Sequence, residues 1–397
     1  MRYYFALLLV SIVEEERIMA SLARRLRERL FWPSDRSMQK LMGRIDSLEH
    51  ENAQLRDSLK AQESVLFEIR DWMHGIGEES CRVVHEVQRA QIAERSKEDI
   101  RFWAQYRDPG ETDLETRKRF FLNLPRAEGD LRLLQSALNR MLCDFAEICR
   151  QNGINQYWLV GGTLLGAVRH HGFIPWDDDL DLGIMRDDLT RLQEVLTNNS
   201  EYKITVIWDR IVHCRQIRFA PRDTRIPGFI DLFPFDWVSK PDHDTFLKVQ
   251  EYRKAAIETA EADTVIREAW DRNVYVPMES VAGHHIADAF DTQLDEMRRD
   301  GVVCSHEAAA GIVRAYDNMD HPSGFEWISS LDESCPLDVQ TFEGEQYPVP
   351  ANYMYLLTHA YGNIFALPND IGLHFEHVDK KALAQVDEQT VREYVNR

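Results

Sequence analysis

Between residues 158 and 183 the chain reads WLVGGTLLGAVRHHGFIPWDDDLDLG, and no other stretch restricts its fold as tightly. Trp158, Leu159 and Val160 form a short apolar run with strand character, which Gly161 and Gly162 break with a tight turn. From Thr163 the spacing of Leu164, Leu165, Ala167 and Val168 is helical, so the free N–H groups of a new helix face whatever lies over the glycines. A turn without side chains lets a phosphate approach the backbone. Asp177, Asp178, Asp179 and Asp181 then place four carboxylates within five positions, closed by Gly183. In an extended segment side chains alternate, which puts Asp179 and Asp181 on one face and Leu180 and Leu182 in the core. Carboxylates side by side repel one another unless a cation lies between them. Magnesium suits them, since it takes hard oxygen ligands and is usually held by one or two carboxylates together with substrate phosphates; manganese is the substitute. A solvated acidic loop is the bland reading, but Pro175 and Trp176 argue against a floppy segment.

The same residues carry a resemblance. GGTLLGAVRHHGFIPWDDDLDLG closely resembles the signature of the LicD/fukutin family, which transfers phosphocholine or pentitol phosphate from a CDP-linked donor to a glycan. The resemblance implies an α+β fold with a nucleotidyltransferase-like mixed sheet flanked by helices. It also implies a Gly-Gly turn, an Asp-x-Asp pair and a third carboxylate on a later strand. Phe229, Ile230, Asp231, Leu232 and Phe233 set one acid inside an apolar strand, and a buried acid must be paired, protonated or bound to metal. IDLFPFD is similar to the family's second motif, so Asp231 is the candidate third carboxylate; a plain ion pair with Arg218 or Arg225 is the competing reading. Asp236, after Pro234, reads as a turn cap. YPVPANYMYLLTHAYGNIFALPND resembles the family's closing segment, with Tyr353, Leu356, Leu357 and Tyr361 on a helix packed against the sheet and ended by Gly362. His374 and His377 beyond it are candidate acceptor-site groups.

Outside this region the sequence sets limits rather than chemistry. The 397 residues carry a formal net charge of −20, which argues against a nucleic-acid partner, whose footprint would be a basic patch. The six cysteines form no CxxC pair and read as reduced thiols. Residues 1–36 hold an apolar run from Tyr3 to Val13, short of the roughly 20 residues that span a bilayer, and a basic amphipathic helix fit for peripheral contact with an anionic membrane surface. Residues 37–77 read as a coiled coil, with Ile45, Asn52, Leu59 and Leu66 at one heptad position and Leu41, Leu48, Leu55 and Ile69 at the other. The single Asn points to a parallel homodimer through residues 38–76; a long helix folded back on its own domain is the alternative. A helical connector over 78–127 leads to the catalytic domain at 128–385, with a helical insertion at about 240–330 and a tail at 386–397. In the domain, Leu131, Leu134, Leu138, Leu142, Phe145 and Cys149 predict a helix, and Asp187 or Asp188 is expected to cap another.

The expected chemistry is magnesium-dependent transfer of a phospho-head group to a hydroxyl of a cell-surface glycan or its lipid-linked precursor, with CMP leaving. Asp179, Asp181 and Asp231 would hold the metal; Gly161, Gly162, Thr163 and Arg169 would fix phosphate, with Trp176 and Asp177 also lining the substrate site. Asp231 or Asp177 would take the proton of the attacking hydroxyl. A true nucleotidyltransferase, or a coiled-coil scaffold with an inactive domain, are the other readings. The family's cytosolic donors and the lack of a signal peptide place the expected reaction in the cytoplasm, at the inner face of the membrane.

Overall fold

A computed structural model of the chain describes residues 43–44, 46–47, 50–51, 53–54, 85–87, 89–319, 327–367 and 387–397. Two compact units make up the chain, Met1–Glu98 and Asp99–Arg397. Every described residue of the first unit is helical. Most of the heptad stretch 38–76, the apolar run, the basic helix, His374 and His377 lie outside the described residues.

The second unit opens with a helical stretch ending at residue 106, followed by α1 (Asp113–Leu122). In α1 the Thr112 hydroxyl and the Glu115 carboxylate satisfy one another's backbone N–H groups, a reciprocal cap that starts the helix. Next comes α2 (Gly129–Gln151), whose apolar stripe, predicted from the sequence, buries Leu134, Leu138, Met141, Leu142, Phe145 and Cys149. The chain continues as β1 (Tyr157–Leu159), α3 (Gly161–His170), β2 (Asp181–Met185), α4 (Arg186–Thr197), β3 (Tyr202–Asp209), β4 (Cys214–Pro221) and β5 (Ile230–Val238). There follow α5 (His243–Ala262), α6 (Thr264–Trp270), β6 (Tyr275–Pro277), α7 (Val281–Arg299), β7 (Gly311–Arg314), β8 (Ile328–Ser330) and α8 (Leu331–Ser334). The described chain closes with the hairpin β9 (Asp338–Phe342) and β10 (Glu345–Val349), then α9 (Tyr353–Tyr361) and α10 (Glu388–Val395).

The main sheet runs β1-β2-β5-β4-β3-β6, with β7 on β5 and β8 on β7. It is mixed because β2 and β5 run parallel while every other pair is antiparallel. Nine residues long, β5 has room for two neighbours on one side: β4 pairs at Ile230 and Asp231, and β7 takes over from Phe235 to Val238. One core packs α2, α3 and α4 against the sheet around Leu142, Phe145, Leu182, Phe219 and Leu232. A second gathers α5, α6 and α7 over Trp208, Val313 and Tyr316. The expected helical insertion is therefore only partly helical, since β6, β7 and β8 arise within it and extend the sheet.

Two further expectations are corrected. Asp188 does not cap α4; its carboxylate accepts from the backbone N–H groups of Asn155 and Gln156 at 3.0 and 2.9 Å, tying the start of α4 to the entry of β1. Asp236 is no turn cap but a buried residue of β5, held by Arg186 at 2.6 and 2.9 Å. Arg186 also pairs with Asp317, which Arg215 reaches at 3.1 Å. Burial alone would raise Asp317, but the two guanidinium groups outweigh it and hold the carboxyl down to about 2. Removing one partner from such a cluster leaves uncompensated buried charge. Arg186→Leu is expected to cost about 3–5 kcal/mol, read as a fall in the urea midpoint. Asp317's share of stability is present above the ordinary carboxyl pKa and is lost as pH falls through about 2.

Candidate active site

At the C-terminal end of β1 the chain must turn sharply into a helix, and Gly161 makes the turn with φ +55°, in the left-handed region that disfavours residues with a Cβ. The same position is crowded: a Cβ there would lie 2.8 Å from Oδ2 of Asp181, and one on Gly162 would lie 3.0 Å from Oδ2 of Asp177. The glycine turn and the acidic run thus meet carboxylate against backbone. The Thr163 hydroxyl accepts the Asp181 backbone N–H at 2.8 Å, so its side chain locks α3 to β2 rather than waiting for a ligand. Gly183, which closes the acidic run, is needed for another reason, because a Cβ on it would sit 2.6 Å from Nε1 of Trp158.

The carboxylates arrive from two strands and the loop before them. Asp181 and Asp231 are register partners on the parallel strands β2 and β5, about 4.8 Å apart along the hydrogen-bonding direction. Leu180, Leu182 and Leu232 point into the core, as alternation predicts. Arg218 is the register partner of Asp231 on β4, and its Nε donates to Oδ1 at 3.1 Å. Asp231 therefore has the arginine pairing that was its competing reading, while standing next to Asp181. Ahead of β2 the chain runs as a loop. Oxygens of Asp177, Asp178 and Asp179 all lie within 4.8 Å of one another, which adds Asp178 to the cluster. Gln135 of α2, 1% exposed, pins this loop by donating to the Asp177 carbonyl at 2.9 Å. Half-buried Trp176 packs on the main core and anchors the turn.

Arg169 lies elsewhere. Its guanidinium stacks 3.8 Å from the centre of the Phe121 ring, eight residues along α3 from Gly161 and thus about 12 Å along the axis. The arginines near the acids are Arg218 and Arg314; Arg314, 4% exposed on β7, draws the Asp181 pKa down. Neither Arg314 nor Tyr361 was singled out for the site by the sequence, because both come from distant segments. The only local hint of Gln135 was a polar residue beside the apolar stripe of α2.

Residues 154–266 match the family described as LicD/FKTN/FKRP, nucleotidyltransferase domain. These residues carry a domain of the LicD/fukutin family. The lipopolysaccharide cholinephosphotransferase LicD of Haemophilus influenzae is 23% identical over 265 residues, 63% of this chain and 97% of that protein. Human ribitol 5-phosphate transferase FKRP is 52% identical over 83 residues, 20% of this chain and 17% of FKRP. An uncharacterised protein of Rickettsia prowazekii is 46% identical over 74 residues; the match spans 27% of its length and 19% of that of a Rickettsia typhi relative.

The electrostatics of this LicD-type cluster ask for a cation. Burial, then the charge of Asp179, a hydrogen bond to it and the charge of Asp178 push Asp177 up to about 9. Burial and the charges of Asp179, Asp231 and Asp177 likewise raise Asp181. A set of hard carboxylate oxygens that resist ionising together fits a divalent cation such as magnesium or manganese. Without one, the folded state keeps protons that the unfolded chain releases above about pH 4, so these acids erode stability as pH rises toward about 9. A bound cation would replace those protons and remove the penalty. Magnesium or manganese at about 100 times its Kd at about pH 8 should add about 2.7 kcal/mol of stability there, and the same concentration should raise the melting temperature less at about pH 6. Asp177→Asn should narrow that difference.

Proposed function

We propose that this domain transfers a phospho-head group, phosphocholine or pentitol phosphate, from a CDP-linked donor to a hydroxyl of a cell-surface glycan or its lipid-linked precursor, releasing CMP. One observation carries the reading: the carboxylates of Asp181 and Asp177 lie against the two glycines that begin α3. A diphosphate entering there meets backbone N–H donors and the positive end of a helix dipole on one side, and a carboxylate cluster on the other. The names of the Haemophilus and human relatives, a cholinephosphotransferase and a ribitol 5-phosphate transferase, point to the same reaction class.

Asp179, Asp181 and Asp231, with Asp177 and Asp178 beside them, are the residues that would hold magnesium or manganese. That ion, when bound, neutralises charge on the donor's pyrophosphate. The N–H groups of Gly161, Gly162 and Thr163 orient the phosphate, and Arg218 and Arg314 offset the negative charge of the cluster. The acceptor oxygen attacks the head-group phosphorus as the bond from that phosphorus to the bridging oxygen breaks, and CMP departs with the electron pair. The hydroxyl proton passes to a carboxylate, either Asp177 or Asp231, whose Oδ1 Arg218 already holds. Peripheral contact with the inner face of the membrane and a parallel dimer through residues 38–76 complete the proposal. Among the described residues no helix is long and apolar enough to cross a membrane.

The description of the matched family keeps a second reading open, attack on the nucleotide's own phosphorus with transfer of NMP. The products separate the two. Incubation with magnesium and CDP-choline, CDP-ribitol or the four NTPs should release CMP from a CDP-linked donor in the first case and pyrophosphate from an NTP in the second. Asp179→Asn and Asp181→Asn should each lower the rate by more than about 100-fold, beyond what losing an outer partner of a metal site costs. Undiminished transfer by both variants would refute the assignment.

A further inference from the structure

The last residue of α9 shares a cavity with the glycine turn. Tyr361 precedes Gly362, whose φ of +68° ends the helix. Its ring lines a cavity of about 60 Å³ together with Trp158, Gly161, Leu164, Phe235 and Trp327. Gly161 is the point at which the Asp181 carboxylate reaches the backbone, so the largely apolar cavity borders the glycine turn on which that acid lies. The phenol feels these acids directly: after burial, the charges of Asp181, Asp177 and Asp179, in that order, raise its pKa. Its hydroxyl makes no hydrogen bond to another described residue. At 48% exposed, the side chain is within reach of a ligand.

Ionised carboxylates only accept hydrogen bonds, and an oxygen-rich anion entering among them needs donors. A phenol keeps its proton at any working pH and carries no charge to be neutralised by the acids. We propose that Tyr361 donates a hydrogen bond to a phosphoryl oxygen of the bound donor, serving as the neutral side-chain donor beside Asp181. The inference rests on the phosphoryl-transfer reading above and adds a substrate contact to it. Negative charge is spread over the phosphoryl oxygens as the bond breaks, so a preorganised donor there favours the transition state over the ground state.

Tyr361→Phe removes the hydroxyl and keeps the ring that walls the cavity. With a CDP-linked donor that the wild type turns over, kcat/KM should fall by about 100-fold, with kcat lowered about 10-fold and KM raised about 10-fold. In calorimetric titrations, binding of Mn2+ alone and the melting temperature should match the wild type. Binding of inorganic pyrophosphate in the presence of Mn2+ should weaken by about 10-fold. Tyr355→Phe, on the same helix but stacked on His359, is the control and should change neither. Unchanged pyrophosphate affinity overturns the proposal, and so does a loss that comes together with weaker Mn2+ binding and a lower melting temperature, which marks a purely structural role. If the wild type turns over no donor, the transferase reading fails, and the pyrophosphate titration still decides whether Tyr361 meets phosphate.

Discussion

Like charge held at close range is the constraint on which the second unit depends. Asp177, Asp178 and Asp179 crowd their oxygens within 4.8 Å, and Asp181 and Asp231 stand side by side on parallel strands. Such a cluster would relax if its backbone were free to move. It is held because alternate residues of the same strands, Leu180, Leu182, Ile230 and Leu232, are at most 1% exposed in the core. Gln135 pins the preceding loop and the Thr163 hydroxyl pins the first strand residue. The apolar core thus keeps the acids together against their repulsion, which a bound cation would relieve. The glycines that begin α3 let the carboxylates approach the backbone, which sets the free N–H groups of a helix start beside an acidic cluster.

The second half of the unit handles charge in the opposite way. Arg186, Asp236, Asp317 and Arg215 are buried or nearly so, but each acid meets guanidinium donors at 2.6–3.2 Å. Paired in this way, the group connects the end of β2 to β5 and to the turn after β7 without asking for a ligand. Acids compensated by arginine hold the fold together; acids compensated only in part mark the site. Arg218 on Asp231 lies between these cases, since it holds one oxygen of a carboxylate whose neighbour Asp181 is raised by the charges around it.

Much of this was legible in the sequence because it depends on local periodicity. The apolar stripe of α2, the strand before the glycines, the break at Gly161 and the alternation of Asp181 with Leu180 and Leu182 each follow from neighbours a few residues apart. The resemblance supplied the partner acid Asp231, and its register beside Asp181 is what a parallel pairing of two short apolar strands produces. Local rules failed where the backbone left regular geometry. The loop before β2 gathers Asp177, Asp178 and Asp179 where no strand periodicity applies, and Asp236 stays within β5 although Pro234 suggested an end to the strand; β2 pairs with β5 across that proline and β7 continues the ladder beyond it.

By itself the sequence determined what the site is made of: two glycines, an acidic run and one acid set in an apolar strand. Tertiary structure alone decided which side chains surround them. It turned Arg169 away onto Phe121, set Arg218 on Asp231, and brought Arg314 and Tyr361 to Asp181 from more than a hundred residues downstream. The reason is physical. A turn or an alternating strand is specified by the conformational preferences of adjacent residues, whereas a contact between remote segments depends on strand order and register, which are fixed only when the whole sheet closes over its core.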